Sequence, residues 1–447
     1  MKETQLQINL PGVPKAKQGR EVPPHWEWTE ASVWTERMLA ALERGVKGGK
    51  WFSLMDKVWK MENLQSALQQ VARNKGAAGV DGQSCEGYLK AAPQRLPRLQ
   101  EKLKHGSYYP APVKRVWIPK LGSKELRPLG IPTVEDRVVE TALRNVLEPI
   151  FEHTFAEHSY GFRPGRGAKD ALRRVDYLLK AGQHWVVDAD LKGYFDSIPQ
   201  DQLMKAVETQ IADGAVLALI EHLLRQGVME SGKDWQPTEA GTPQGAVISP
   251  LLANLYLNPL DHLMARQGRD MVRYADDFVI LCHSQQEAQE VLEQLRQWTE
   301  AAGLTLHPTK TRILDASQKG GFDFLGYHFE RGHRWPRSKS RDKFREAIRQ
   351  KTRRLTPLPM NQIIVEVNRT LRGWFEYFQH SIANIFQRED QWVRQRLRTL
   401  LRRRHKLPGR ARGRDYQRWS NAYFAQLGLI SMALARKQAS QARSRAH

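Results

Sequence analysis

Arg273-Tyr274-Ala275-Asp276-Asp277-Phe278-Val279-Ile280-Leu281 sets two adjacent acids between short apolar runs. The pattern reads as a strand, a tight turn carrying Asp276 and Asp277, and a return strand. An ordinary hairpin more often carries Asn-Gly or Asp-Gly at its turn. Two neighbouring carboxylates also repel each other unless a cation sits between them. Paired acids on exposed turns are nevertheless common. The pair becomes informative only if the chain supplies a third carboxylate and something for a metal to act on.

A third carboxylate lies upstream. In Trp185-Val186-Val187-Asp188-Ala189-Asp190-Leu191-Lys192-Gly193-Tyr194-Phe195-Asp196 an apolar strand runs into acids and then an aromatic pair, with a helix expected from Gln200. Asp188 and Asp190 share one strand face by the period of two. This face supplies the candidate third carboxylate. Val113 to Pro119 and the residues up to Pro132 have the form of a hairpin with a basic tip, flanked by Lys120 and Arg127. That is either an exposed turn or a pair of cations facing one anion. The loop Tyr160-Gly161-Phe162-Arg163-Pro164-Gly165-Arg166-Gly167 combines small residues, which allow close backbone approach, with two arginines suited to phosphates. Asn74 to Gly82 is glycine-rich but lacks the Gly-Lys-Ser/Thr of a Walker loop.

Around these motifs the chain reads as helix (Glu135–Phe151), helix (169–180), strand, helix, a loop from Gly241 opening a helix over Leu251–Met264, the acid hairpin, and a helix over 284–302. Lys310 then sits in a turn, and Phe322–Phe329 forms a hairpin strand. The order predicts an α+β fold with helices on one face of a sheet, not a βαβ repeat. Beyond Arg331 the periodicity becomes helical. Phe344, Ile348 and Leu355 mark one helix, Ile363 to Phe378 a second, and Trp392 to Leu401 a third. The aromatic stripe reads as the core of this bundle. A last helix is expected around Trp419 to Ala435, before a low-complexity end from Gln438. Residues 1–50 read as a strap packing its tryptophans on the body.

Charge separates these two parts. The chain of 447 residues carries a net +22, and residues 331–447 hold 29 Lys and Arg against 7 Asp and Glu. The first 330 residues therefore balance to zero. A neutral body with a basic appendage points to a polyanionic partner, and nucleic acid gains affinity for Lys and Arg through counterion release. Two cysteines, Cys85 and Cys282, exclude a disulfide framework or a four-cysteine zinc module. The apolar runs fall short of a membrane span, and the polar start Met1-Lys2-Glu3-Thr4 is not a signal sequence. A soluble, cytoplasmic protein without a membrane partner is expected.

Asp190 beside Asp276 and Asp277 offers oxygen ligands for two hard divalent cations. Such a site, with cations for a triphosphate and a basic arm, describes nucleotide polymerisation on a template. Asp188-Ala-Asp190 through Phe195-Asp196, Thr242-Pro-Gln-Gly245, Tyr274-Ala-Asp-Asp277 and Phe324-Leu-Gly-Tyr327 resemble, in order and spacing, the motif blocks of reverse transcriptases. Asn74–Gly82, Arg127-Pro-Leu-Gly-Ile-Pro132, Tyr160–Gly165 and Leu371-Arg-Gly-Trp-Phe-Glu-Tyr-Phe378 look like the bacterial group II intron-encoded reverse transcriptase/maturases in particular.

The resemblance covers about residues 51 to 405 and implies a right-hand polymerase. It would comprise an N-terminal extension (1–50), fingers and a palm with an antiparallel sheet (51–330), an all-α thumb/maturase bundle (331–405) and a basic nucleic-acid-binding tail (406–447). By position, Asp190, Asp276 and Asp277 match the catalytic metal-binding acids, with Leu191 counted in the metal site. The implied cofactor is Mg²⁺, two ions, with Mn²⁺ as the alternative. Phe195 matches the steric gate against a ribose 2′-OH, Gln244 a residue positioning the nucleotide, Lys120 and Arg127 the triphosphate pair, and Lys310 a palm lysine. Arg163, Arg166, Arg394, Arg398, Arg402, Arg403 and Arg404 are the expected nucleic-acid contacts.

Implied partners are an RNA template and primer, dNTPs, group II intron RNA and a DNA target; a dimer is the oligomeric alternative. Two cysteines cannot build the Cys-paired HNH endonuclease of many members, so DNA cleavage is not expected. Ala246 stands where a second glycine is common. Two alternatives stay open: a domesticated relative serving phage defence, CRISPR spacer acquisition or DNA repair, and a maturase with a vestigial polymerase. Intact acids, gate and basic pair argue against the last.

Overall fold

The computed structural model describes residues 24–46, 48–119, 126–230, 238, 240–353 and 356–445. Among them, ten strands run in chain order as β1 (Val113–Pro119), β2 (Leu126–Ile131), β3 (Trp185–Asp190), β4 (Val228–Glu230), β5 (Asp270–Tyr274), β6 (Asp277–Cys282), β7 (Arg312–Asp315), β8 (Phe322–Phe324), β9 (Tyr327–Glu330) and β10 (His333–Pro336). They make three sheets, ordered β2-β1-β4, β5-β6-β3-β7 and β10-β9-β8. The fold is mixed helix and sheet, as the α+β reading expects. The chain divides into two compact units, Met1–Ala171 with Ala189–Ile280 and Gln289–Arg312, and Leu172–Asp188 with Leu281–Ala288 and Ile313–His447.

The first unit is built around the helix Val134–Glu152. Thr133 starts it by accepting from the Asp136 backbone N–H at 3.1 Å, an N-cap. Val138, Val139, Ala142, Leu143, Val146 and Leu147 are all fully buried, so this helix is apolar nearly all round rather than on one stripe. Asn63, also buried, binds the Ala142 carbonyl at 3.0 Å and accepts from Asn145 at 2.9 Å. These bonds satisfy the polar groups that would otherwise make burial of the pair costly. Residues 1–23 of the expected strap lie outside the described residues; in the rest of it Trp26 and Trp34 are buried, Trp28 is half-buried, and the Trp34 indole donates to the Asn145 carbonyl at 2.9 Å. The basic hairpin also forms, β1 pairing antiparallel with β2 from Lys114↔Ile131 to Pro119↔Leu126. Its tip, with Lys120, lies outside the described residues. β4 joins the other edge of β1 in parallel.

Glu140 on the same helix is wholly buried. Its Oε2 accepts from the backbone N–H groups of Val247 and Ile248, while Oε1 has no hydrogen-bond partner among the described residues. Burial raises its pKa from 4.5 to about 8, against the pull of those two N–H groups. Between those values the folded state holds a proton that the unfolded state has released, so stability falls as pH rises through that window. Glu140→Gln removes the titration, and its amide nitrogen replaces an O–H that was already unpartnered. The variant should match the parent near pH 4 and exceed it by roughly 5 kcal/mol at pH 9. Parallel denaturation midpoints across that range would refute the assignment.

In the second unit the stretch 322–329 is two strands. Leu325 and Gly326 both take positive φ, 45° and 85°, which turns β8 back onto β9. Phe322 and Phe329 face each other in the ladder and stack at 5.1 Å. Helices Ser338–Lys351, Met360–Phe378 and Ala383–Arg404 follow. Leu355, expected in the first, lies outside the described residues. The aromatic stripe is core: Trp374 lies 4.6 Å from Phe344 and 5.9 Å from Phe386, all three buried.

The segment after residue 405 does not trail away. Buried Asp390 accepts from the Ser431 hydroxyl at 2.6 Å and from the Met432 and Ala433 N–H groups at 3.1 Å, capping a helix Met432–Arg445. That helix includes the stretch expected as a low-complexity end. Among the described residues, no helix is long and apolar enough to cross a membrane.

Candidate active site

The acid pair lies where the alternation put it, displaced by one residue: Ala275 and Asp276 form the turn and Asp277 opens β6. Ala275 has φ +60°, a left-handed conformation that costs a residue with a Cβ roughly 1 kcal/mol. Neighbouring elements hold it there. Arg273, fully buried, forks onto both oxygens of Asp261 and uses Nη1 to bind Asn254 Oδ1 and the Ala275 carbonyl, both at 2.9 Å. Asp261 and Asn254 belong to the helix Ser249–Arg266. On the other side, Ser159 bridges to Arg273: the Arg273 N–H donates to His158 at 3.0 Å, and Tyr160 N–H to Arg273 at 2.8 Å.

Gly161 packs on the turn itself. A Cβ there would lie 2.3 Å from the Ala275 nitrogen, and the Gly161 carbonyl accepts from Asn254 at 2.7 Å. Of the small residues in this loop, Gly161 is the one that admits the acid turn. Burial raises the Asp276 pKa; its own backbone N–H and Arg127 oppose this, Asp190 adds to the rise, and Arg273 opposes it. Asp276 and Asp190 therefore share one electrostatic environment, in which a cation would relieve their repulsion. Asp277 is exposed.

Asp190 ends β3. The segment after it is pinned by His307 N–H to the Asp190 carbonyl at 2.7 Å and Lys192 N–H to the Thr305 carbonyl at 2.8 Å. Neither bond uses the Leu191 carbonyl. Lys310 is not apart from the acids: its ammonium binds Asp190 Oδ2 at 2.8 Å. Among the described residues, no three acid, histidine or cysteine side chains close into a cage for an ion. Two or three carboxylates in an open arrangement nevertheless suit Mg²⁺, which keeps waters and substrate oxygens in its shell. The donor set fits such an ion.

Phe195 is buried on the short helix Tyr194–Ser197, entered through Gly193 at φ +59°. Its ring packs edge-on against Tyr194 at 5.6 Å, and its carbonyl accepts from Thr242 at 2.7 Å. Arg127 Nε donates to Gln244 Oε1 at 2.9 Å, and Gln244 Nε2 donates to Asp196 Oδ2 at 2.7 Å. A cavity of about 350 Å³ opens beside Gln244 and Asp196, lined also by Arg115 and Thr242. Residue-type reasoning paired Arg127 with Lys120; the described partner of Arg127 is Gln244. Asp196, Arg273 and Asn254 were missed. The one signal for Arg273 was a charged residue in an otherwise apolar strand, which burial obliges to be paired.

Several of the arginines expected to contact nucleic acid have partners within the protein. Arg163 is buried, with Glu152 on Nε and Nη2 and the Ala156 and Ser159 carbonyls on Nη1, so its donors are spent inside the protein. Arg166 is half-buried against the Tyr160 ring and bonds the Glu157 carbonyl. Arg398 is buried on the Trp419 carbonyl and Asn421, and Arg402 pairs with Asp415 at 2.7 Å. Arg404 is exposed but bonds the Thr356 and Leu358 carbonyls, whereas Arg403 is exposed. Arg394 lines an open groove of about 960 Å³ in the second unit with Arg345, Arg388, Trp392 and Tyr416.

Acids at a strand end and on a hairpin turn thus share an electrostatic environment that includes Arg127, which is joined through Gln244 to Asp196. Correspondingly, residues 118–329 match the reverse transcriptase (RNA-dependent DNA polymerase) family and residues 341–419 the group II intron, maturase-specific domain. Group II intron-encoded protein LtrA of Lactococcus lactis subsp. cremoris is 40% identical over 199 residues, 44% of this chain and 32% of that protein. The match thus spans about a third of that relative's length. Protein YkfC of Escherichia coli (strain K12) is 33% identical over 319 residues, 62% of this chain and 83% of that protein. The chain belongs to the group II intron reverse transcriptase/maturase family.

Proposed function

We propose that the protein is an RNA-directed DNA polymerase that also assists splicing of a group II intron RNA, on a right-hand architecture of fingers, palm and helical thumb. The observation that carries the catalytic part is the shared environment of Asp190 and Asp276, beside Arg127. Asp190, Asp276 and Asp277, with the Leu191 carbonyl, would hold Mg²⁺. When bound, the metal lowers the pKa of a primer 3′-hydroxyl and neutralises charge on the leaving pyrophosphate. Arg127, with Lys120, supplies positive charge to the triphosphate, and Gln244 positions the nucleotide. Lys310 on Asp190 balances that acid's charge. Phe195 occupies the place of a ring that excludes a 2′-hydroxyl. The groove lined by Arg388 and Arg394 suits RNA, with phosphates on their guanidinium groups, while Arg345 is held by Glu389 and covers the Trp392 ring.

The test is extension of a DNA primer on an RNA template with Mg²⁺ and dNTPs. The parent protein should extend. Phe195→Ala should raise ribonucleotide incorporation relative to deoxyribonucleotide by at least about tenfold, the ring being the gate. Unchanged discrimination would remove that role, and an inactive parent would remove the polymerase reading.

A further inference from the structure

Gln244 borders open space, and what fixes its side chain is polar. The loop backbone around it is tightly held: the Gln244 carbonyl accepts from Gly130 at 2.6 Å, and a Cβ on Gly245 would lie 2.3 Å from the Gly130 carbonyl oxygen. The side chain itself has the 350 Å³ cavity beside it. Packing therefore leaves its rotamer open to more than one choice. Two hydrogen bonds settle the matter. An amide offers one accepting oxygen and one donating nitrogen. Asp196, a carboxylate, can only accept, so it takes the nitrogen at 2.7 Å; Arg127 can only donate, so it takes the oxygen at 2.9 Å. The order acid–amide–guanidinium permits a single orientation of the Gln244 side chain.

We infer that Asp196 is a positioning residue of the nucleotide pocket: it sets the Gln244 amide and, through it, the Arg127 guanidinium before the nucleotide arrives. Its own place is secure, since Asp196 N–H donates to the Gly193 carbonyl at 2.9 Å and Gly241 packs on its backbone. The following residue after the gate thus joins the Phe195 segment to the Gln244 loop. Without Asp196 the amide is free to turn into the cavity, and Arg127 loses the oxygen that aims it. Binding of the nucleotide then carries the cost of ordering both side chains. The chemical step, run on the carboxylates of Asp190, Asp276 and Asp277, keeps its geometry.

The inference rests on the polymerase reading, and steady-state extension on an RNA template separates the two. An inactive parent protein is a failure of that reading. With an active parent, Asp196→Ala should raise KM for dNTP about five- to tenfold with kcat within about twofold, the loss of one hydrogen bond to the ground state. Asp196→Asn keeps an accepting oxygen and should stay within about twofold of the parent. Gln244→Met should reproduce the KM effect, and adding Asp196→Ala to it should cost nothing further. Should the alanine variant melt early, Asp196→Leu at matched melting temperature provides the same reading. Unchanged KM, a fall in kcat alone, failure of asparagine to rescue, or additivity with Gln244→Met would each overturn the inference.

Discussion

Asp276→Asn is expected to lower RNA-templated primer extension by at least about a thousandfold while leaving the melting temperature and RNA affinity near those of the parent. The side chains are nearly the same size, so packing is preserved and only charge and one donor oxygen are lost. Asp276 is the acid on which burial, Asp190 and Arg127 all act, so its charge matters most to a bound cation. Asp277 is exposed and Asp190 is already bonded to Lys310, so neither replaces it. Burial also predicts that the asparagine variant folds at least as well as the parent, because an ionised buried acid is unfavourable without its cation. Mg²⁺ titrated into the parent should raise its melting temperature, and much less so in the variant. Extension within tenfold of the parent, or an equal Mg²⁺-dependent shift in both proteins, would exclude Asp276 from the metal site.

The elements around this site were legible because they depend on local periodicity. A strand–turn–strand at 273–281, a helix opening near Ser249 and the strongly periodic helix Met360–Phe378 need only the spacing of apolar residues. The partners of charged groups were not legible, because they are long-range. Arg163 and Arg402 look like any phosphate-binding arginine in sequence; only folding brings Glu152 and Asp415 to them. Composition gave the right sign for the C-terminal quarter but overstated how much of its charge is available. Asp390 caps the last helix from 41 to 43 residues away, a pairing that nothing near it in sequence announces. Asp196 gives no sign in sequence of its partner, because Gln244 lies 48 residues away.

Arg273→Met is expected to be the most destabilising single change near the site, by about 3 to 5 kcal/mol in chemical denaturation. The substitution leaves Asp261, 6% exposed, as a buried carboxylate without its fork, and leaves the Asn254 oxygen and the Ala275 carbonyl each short of a donor. That cost is mostly the uncompensated charge, so the double variant Arg273→Met with Asp261→Leu should recover much of the stability. Recovery of activity should not follow. The Ala275 carbonyl is held by Arg273 Nη1, and a methionine cannot donate to it, so the left-handed residue before the acid pair loses the contact that offsets its strain. A stable double variant that still extends primers poorly would separate the two duties of this arginine, balancing Asp261 and aiming the turn. A double variant restored in both stability and extension would mean that Arg273 serves only to neutralise Asp261, and that the loop at Gly161 alone holds the acids in place.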